Sequence, residues 1–438
     1  MRYSSIILAA VALPAVAAAQ DAPDPARLKA TVEKLVSFGT RHTLSDPNDP
    51  KRGIGAARRW FAGEMEKIGK QCGGCIKVEQ IQRVFTVPRA PNGVNVVDVL
   101  GIQPGSEPGR YVIVQGHIDN MPSDVMNPTH DAPGANDDAS GTALVLEAAR
   151  VLAGQKLKAT VIYAALSGEE QGLLGGILLA ETAKERGWKV SAVLNNDIVG
   201  GTVGQTGARV ADRVRVFSEG IRFSEDQAAQ MARRGNGGED DGPSRSLAKA
   251  IDQIAQADPN ALDVFVVRRP DRFGRNGDHS PFLELGYPAV RFTVATENYR
   301  QQHQDVRDEN GIDYGDTPDK MDFPYLAKVT ALNVATIKRL ASAPAAPDSV
   351  ALRRLTTPTT HDTSVTWTAV PGASGYRIHW RRNDKQDWTD HRDVAANEVE
   401  ATLKDLIVDD VFIGVSALSA DGSESLVTFG GAAPRRPR

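Results

Sequence analysis

The chain has 438 residues, of which 41% are hydrophobic and 24% charged. That length suits one large domain and one small one, and that composition belongs to a globular protein rather than a disordered one. A formal net charge of −4 leaves no basic footprint for nucleic acid, and the Pro-Arg-Arg-Pro-Arg end reads as a short solvated tail.

Arg2, the apolar stretch 6–19 and the small residues Ala17-Ala18-Ala19 read as an export signal over residues 1–19. The stretch is too short for a comfortable membrane span, and no later one is long and apolar enough. The mature chain is therefore expected to be exported, to the periplasm or the exterior. The two cysteines lie together in Cys72-Gly-Gly-Cys75. With no second pair to complete a thiolate cage, an oxidising compartment favours a local disulfide.

Segments 26–38 and 53–69 carry helical spacing of apolar residues, and 76–87 and 94–102 read as strands. From Tyr111 onward short apolar strands alternate with helices. Strands are expected at 111–115, 159–166, 190–194 and 289–294, with helices at 140–152 and from about Leu173. This alternation predicts an α/β fold, with a mixed, largely parallel sheet flanked by helices on both faces. The Gly-rich, charged stretch 200–263 is expected to hold a strand, an acidic loop and a helix. Prolines and small residues at 342–348 read as a linker between a domain at 21–341 and a second at 349–432. In the second, Ser364-Val-Thr-Trp-Thr368, Gly375-Tyr-Arg-Ile-His-Trp380 and Val411-Phe-Ile-Gly-Val-Ser-Ala417 alternate like half-buried strands of a small all-β, immunoglobulin-like sandwich. This stretch resembles a fibronectin type III domain, with Trp367 and Tyr376 in core positions and Val411 where that family usually has Tyr.

Polar clusters stand where the expected strands end. They are His117-Ile118-Asp119, Ser167-Gly168-Glu169-Glu170, Asn195-Asn196-Asp197, and Thr296-Glu297-Asn298-Tyr299 followed by His303. Gly134-Ala-Asn-Asp137-Asp138-Ala-Ser-Gly141 lies just before a helix. Open α/β sheets build their sites at the carboxyl ends of strands, so these clusters can converge. Histidines and carboxylates without thiolate suit catalytic zinc that keeps a water ligand, and a carboxylate bridging two metals lets both polarise one water. A further carboxylate must take the proton. Glu169 and Glu170 can divide the roles of base and ligand, and Asp119 can orient the His117 ring. Alone, a His-x-Asp or a Glu-Glu is usually a surface feature; their joint order carries the reading.

Those motifs, together with Asp278-His279-Ser-Pro-Phe, resemble the co-catalytic zinc aminopeptidase family over roughly residues 30–340. That family contains aminopeptidase Y, secreted bacterial leucine aminopeptidases, glutamate carboxypeptidase and glutaminyl cyclase. The resemblance implies two Zn²⁺ per chain. It implies His117 and Asp197 on one ion, Glu170 and His303 on the other, Asp137 bridging, and Glu169 as general base. It also implies a cis peptide at Asp137-Asp138. For the second His, His303 is preferred to His279, which becomes a pocket or supporting residue; the usual Thr or Ser after this His is Gln304 here. His42, His130, His361, His379 and His391 read as structural or exposed, and the 39–42 segment as pocket lining or a loop or cap. The implied activity is removal of N-terminal residues from peptides. The rivals are a carboxypeptidase or dipeptidase with a basic pocket drawn from Arg272, Arg275, Arg291 and Arg300, then glutaminyl cyclase, then an inactive binding protein. The C-terminal sandwich is expected to contact a surface or polymer, or to space and stabilise the enzyme.

Overall fold

The structure, a computed structural model, describes residues 22–357 and 360–432. The export signal expected at 1–19 lies outside them.

The chain opens with helices α1 (Pro25–Val36) and α2 (Gly53–Gln71). Asp24 caps α1, its side chain accepting from Ala26 N with Pro25 in the first turn, the usual chemistry for starting a helix. Cys72 and Cys75 form the local disulfide at the end of α2. Next come β1 (Lys77–Val87), β2 (Ala90–Gln103), β3 (Arg110–His117), α3 (Ala139–Leu152), β4 (Thr160–Leu166), α4 (Leu174–Glu185) and β5 (Lys189–Asn196). They are followed by β6 (Arg213–Phe217), α5 (Gln227–Asn236), α6 (Pro243–Gln256), β7 (Asp263–Val267), α7 (Ser280–Glu284) and β8 (Ala289–Val294). The short pair β9 (Arg307–Glu309) and β10 (Ile312–Tyr314) precedes the long helix α8 (Phe323–Ser342).

The first eight strands form one sheet in the order β1-β2-β4-β3-β5-β8-β6-β7. Its centre, β4-β3-β5-β8, is parallel, while β1, β2 and the β8–β6 junction are antiparallel. The mixed, largely parallel sheet is therefore present. The central strands β3 and β4 carry continuous apolar runs because both of their faces are covered. Along β3, Val112 and Val114 face the core under α1, α2, α3, α6 and α8, whereas Ile113 faces the core under α4 and α7. Alternation at period two divides β4 in the same way: Val161, Tyr163 and Ala165 on one side, Ile162, Ala164 and Leu166 on the other.

One stretch departs from expectation. Between Gly200 and Asp263 two helices stand rather than one, because α5 buries none of its residues and so lacks an apolar stripe to announce it. Its signals are terminal: Asp226 accepts from Ala229 N at 2.8 Å, and Gly237 ends the helix at φ +70.

The last seven strands are β11 (Val350–Thr357), β12 (Thr360–Trp367), β13 (Gly375–Arg382), β14 (Asp390–Ala395), β15 (Glu400–Leu403), β16 (Val411–Leu418) and β17 (Thr428–Ala432). They make a separate all-β unit in the order β14-β13-β16-β17-β11-β12-β15, in which β17 pairs antiparallel with β16 and parallel with β11. Trp367 and Tyr376 meet in its core with ring centroids 5.4 Å apart, and Val370 N donates to the Tyr376 hydroxyl at 2.7 Å. The segment before it is packed rather than free. The carbonyl of Ala341 accepts from Lys158 N and Ala159 N, and buried Arg110 donates to the carbonyls of Leu340 and Ala343.

The two units share a buried ionic network. Arg381 of β13, wholly buried, donates to Asp241 and, at 3.0 Å, to Asp240. Lys249 of α6 reaches the same two carboxylates at 2.8 and 3.1 Å. A second bridge joins Arg339 of α8 to Glu424, which also holds His379 and Ser416 at 2.7 Å each.

Candidate metal centre

The four central strands deliver their polar clusters to one edge. β3 ends on His117, β4 runs into Glu169 and Glu170, β5 into Asp197, and the segment after β8 returns His303. The start of α3 brings Asp137 and Asp138, joined by a cis peptide as expected. Asp138 caps α3: its Oδ1 accepts from Gly141 N at 2.9 Å and Ile198 N at 3.2 Å, and its Oδ2 from His117 N at 3.0 Å. One buried carboxylate thus ties the ends of β3, β5 and α3 together.

Asp137 lies between the two imidazoles. Its Oδ1 is 3.2 Å from His117 Nε2 and its Oδ2 is 3.0 Å from His303 Nε2. Asp197 Oδ1 is 3.9 Å from the first imidazole, and Glu170 Oε2 is 3.2 Å from the second. The ligand atoms of His117, Asp137 and Asp197 lie within 4.8 Å of one another, as do those of Asp137, Glu170 and His303, and of His117, Glu169 and Glu170. The sequence-expected residues are therefore brought together, with Asp137 shared by two groups of three.

Supporting contacts fix these groups. His117 Nδ1 bonds to the Asp119 backbone oxygen at 3.1 Å, with the Asp119 carboxylate at 3.6 Å. That carboxylate accepts from Thr43 Oγ1 at 2.8 Å and from the Glu169 and Glu170 amides at 3.4 and 3.3 Å. Asp119 thus orients the ring through its backbone and the Glu169-Glu170 turn through its side chain. His279 is wholly buried but bonds to the Pro270 carbonyl at 2.7 Å and joins none of the three groups.

Sequence reasoning missed several of the groups that hold the centre. Asp316 accepts from Asn136 N and Asp137 N, the latter at 2.7 Å, and so sets the Asp137 backbone. Buried Arg41 donates to the carbonyls of Ile118 at 2.8 Å, Pro133 at 2.8 Å and Gly134 at 2.9 Å, clamping the loops that carry His117 and Asp137. The 39–42 segment is thus a bracket, not pocket lining. Arg291 of β8, also wholly buried, puts Nη2 2.8 Å from Asp197 and Nη1 3.3 Å from Asp271. The sequence offered it for a basic pocket; the structure instead pairs it with a carboxylate of the centre.

The electrostatics ask for cations. Burial alone would lower the His117 and His303 imidazoles, but the surrounding carboxylates carry both well above their ordinary value. Burial pushes Glu169 well above the carboxylate range, with Glu170 and Asp197 adding to it. Burial would also raise Asp137, but His303 and His117 hold it well below that range. So dense a set of buried carboxylates is costly unless paired or coordinated. Glu170 Oε1 is buried with no hydrogen-bond partner. Nitrogen and oxygen donors without thiolate, two histidines and a shared carboxylate fit a pair of divalent ions of the zinc type.

Glu169, Glu170 and His303 open onto a cavity of about 700 Å³, whose walls include Arg89, Met121, Leu173, Arg275 and Tyr299. A larger cavity of about 840 Å³ lies between the sheet domain and the sandwich, near Tyr287, Pro344 and Phe429, and holds none of these groups.

The model of peptidase family M28 matches residues 95–323, the span that carries the whole centre. A probable zinc metalloprotease of Pyrenophora teres f. teres is 41% identical, over 92% of this chain and 84% of that protein. Among solved structures, LapB from Legionella pneumophila aligns with a TM-score of 0.52 at 19% identity, over 72% of this chain and 71% of that one. Fimbriiglobus ruber glutaminyl cyclase aligns with 0.51 at 19% identity, over 72% and 95%. At such identities the structural likenesses speak for the fold alone.

Proposed function

The chain belongs to peptidase family M28, and from that premise we propose that it is an exported two-zinc exopeptidase that removes N-terminal residues from peptides. One observation carries the reading: the two oxygens of Asp137 face His117 and His303 separately, at 3.2 and 3.0 Å. On this reading His117 and Asp197 hold one zinc, Glu170 and His303 the other, and Asp137 both. The name of the Pyrenophora relative points to the same metal and to peptide-bond chemistry.

Bound zinc would supply a Lewis acid for the scissile carbonyl and acidify a water molecule. The chain's own residues do the rest. Glu169 is half-buried on the cavity wall, and the Asp119 carboxylate holds its amide. Its carboxylate takes a proton from the attacking water and returns it to the leaving amine. Asp119 fixes the His117 ring from behind, and Asp316 fixes Asp137.

Replacing Glu169 with Gln keeps the shape and removes the base. Zinc content should stay at two per chain while kcat falls by about a hundred- to ten-thousand-fold. Mass spectrometry of peptides with free and acetylated N-termini then tests direction. Trimming confined to free N-termini and abolished by a chelator supports an aminopeptidase. Trimming of acetylated peptides from the other end replaces it with a carboxypeptidase, and loss of ammonia from N-terminal Gln with a cyclase.

We also assign residues 1–19 as the signal peptide, 21–341 as the peptidase domain, 342–348 as the linker and 349–432 as a fibronectin type III-like sandwich. No helix among the described residues is long and apolar enough to cross a membrane.

A further inference from the structure

Four arginines were candidates for a basic pocket, and the structure separates them. Arg291 is buried against Asp197 and Asp271. Arg272 is nearly buried, its Nε 3.1 Å from Asp271 and its Nη1 3.1 Å from Glu297. Arg300 does not line the cavity beside the metal centre, whereas Arg275 does.

Arg275 lies on the segment between β7 and α7, and its side chain is 33% exposed. Its nearest carboxylate oxygen, Glu297 Oε2, is 3.8 Å away. That oxygen already accepts from Arg272 at 3.1 Å and Gln302 at 3.3 Å, and Arg215 holds the other at 2.5 Å. Glu297 already accepts three shorter bonds, two of them from arginines, so its single charge does not balance the Arg275 guanidinium as well. A second cation, exposed Arg89, joins the cavity wall and gives one N–H to the Glu170 carbonyl at 2.6 Å. Beyond the residues of the metal centre, the cavity's other polar groups are neutral, among them Asn276, Gln302, Gln304 and Tyr299. Among the described residues, its only carboxylates are Glu169 and Glu170, which belong to the metal centre.

A half-open cavity with surplus guanidinium and no spare carboxylate is built for an anion. A guanidinium's planar fork matches a carboxylate, the anion that a peptide itself carries. We propose that Arg275, assisted by Arg89, forms a carboxylate-binding subsite, which directs the enzyme to peptides presenting a carboxylate near the scissile bond, dipeptides foremost. This rests on the exopeptidase reading of the adjoining metal centre. A dipeptide satisfies both the amino- and the carboxypeptidase versions of that reading, since one bond separates its two ends.

The test compares Leu-Leu and Ala-Leu with their C-terminal amides, using zinc-loaded protein. The free acids should be preferred in kcat/KM. Arg275→Gln should raise KM for the acids by about ten- to a hundred-fold, the range for a hydrogen bond to a charged partner, and leave kcat and the amides unaffected. Arg275→Lys should recover part of the loss. Arg300→Gln removes the same charge outside the cavity and should change nothing. Leu-Glu-amide against Leu-Gln-amide identifies the source: preference for the Glu peptide assigns a side-chain carboxylate, and preference confined to the free acids assigns the main-chain one. Calorimetric binding of Leu-Leu to Glu169→Gln, with and without Arg275→Gln, reads the subsite without turnover. Equal handling of acids and amides by the unmodified enzyme, or an equal effect of Arg275→Gln on both, overturns the proposal. If no peptide is cleaved but the binding contrast persists, the exopeptidase reading fails and the subsite stands.

Discussion

Asp316→Asn is a nearly isosteric change that puts the support of Asp137 to the test. Both Asp316 oxygens lie 2.9 Å from Asn136 N, and Oδ2 lies 2.7 Å from Asp137 N. The side chain is only 4% exposed, so water cannot replace a lost contact. Burial pushes its carboxyl up to about 7, with the Asp137 and Asn136 amides pulling the other way. An asparagine can set its oxygen in the Oδ2 place and keep both amides, but its NH₂ then faces Asn136 N, donor against donor. One charge-assisted contact is exchanged for a repulsion, a cost of about 1.5–3 kcal/mol. If that cost appears as displacement of Asp137, zinc affinity falls by about 10–100-fold, the usual penalty for removing a ligand's support. Competition with a chromophoric chelator measures it. Because Asp137 faces both His117 and His303, both zinc equivalents should weaken together while the folded far-UV spectrum is kept. Weakening of one equivalent alone would refute the shared role of Asp137, and no weakening would refute its dependence on Asp316.

The remaining predictions concern the junction of the two units. Arg381→Leu and Lys249→Met each leave Asp240 and Asp241 with a cation, since Arg245 and Arg268 also reach Asp240 at 3.3 and 3.1 Å. Each alone should cost about 1–2 kcal/mol, and the double variant should exceed their sum by more than about 1 kcal/mol, because Asp241 then loses both partners. Differential scanning calorimetry reads this, and simple additivity would dismiss the network. Glu424 is the pH-sensitive element. Burial would raise its carboxyl, but His379, Ser416 and Arg339 bring it down to about 2. Its folded value lies below the unfolded one of about 4.5, so its contribution is complete above pH 4.5 and fades as pH falls towards 2. Its size is about 3 kcal/mol, so the gap in melting temperature between native protein and Glu424→Gln should be wide just above pH 4.5 and narrow as pH falls below it. A gap independent of pH would show that its ionised form contributes nothing.

The sheet was legible because period-two apolar strands and intervening helices leave few other arrangements. The site was legible for the same reason: parallel strands must deliver their carboxyl ends to one edge, so His117, Glu170 and Asp197 could be placed together before any distance was known. His303 came from its place after the last strand rather than from its local motif, in which Gln304 stands where Thr or Ser is usual. What escaped was support by backbone. Arg41 and Asp316 act on carbonyls and amides, which every residue possesses, so no pairing of side-chain types announces them. Helix α5 escaped because an exposed helix needs no stripe. The 342–348 stretch has the composition of a tether, yet Ala343 within it is held by Arg110, and Ala341 just before it by Lys158 and Ala159, through bonds that only the folded chain reveals.

The distribution of charge explains more than its sum. A net charge of −4 conceals carboxylates concentrated in the centre and guanidinium groups concentrated on the segment beside it. Arg291 stands between the two, paired with Asp197 of the centre and with Asp271 of the neighbouring segment. Arg268, at the start of the segment that carries Arg275, bonds Asp240 and, at 3.3 Å, Gln386 of the sandwich. The sandwich is therefore tied to the start of the segment that carries Arg275, and a change at Arg381 should be read in peptide affinity as well as in melting temperature. A sandwich that merely trailed behind a linker would alter neither.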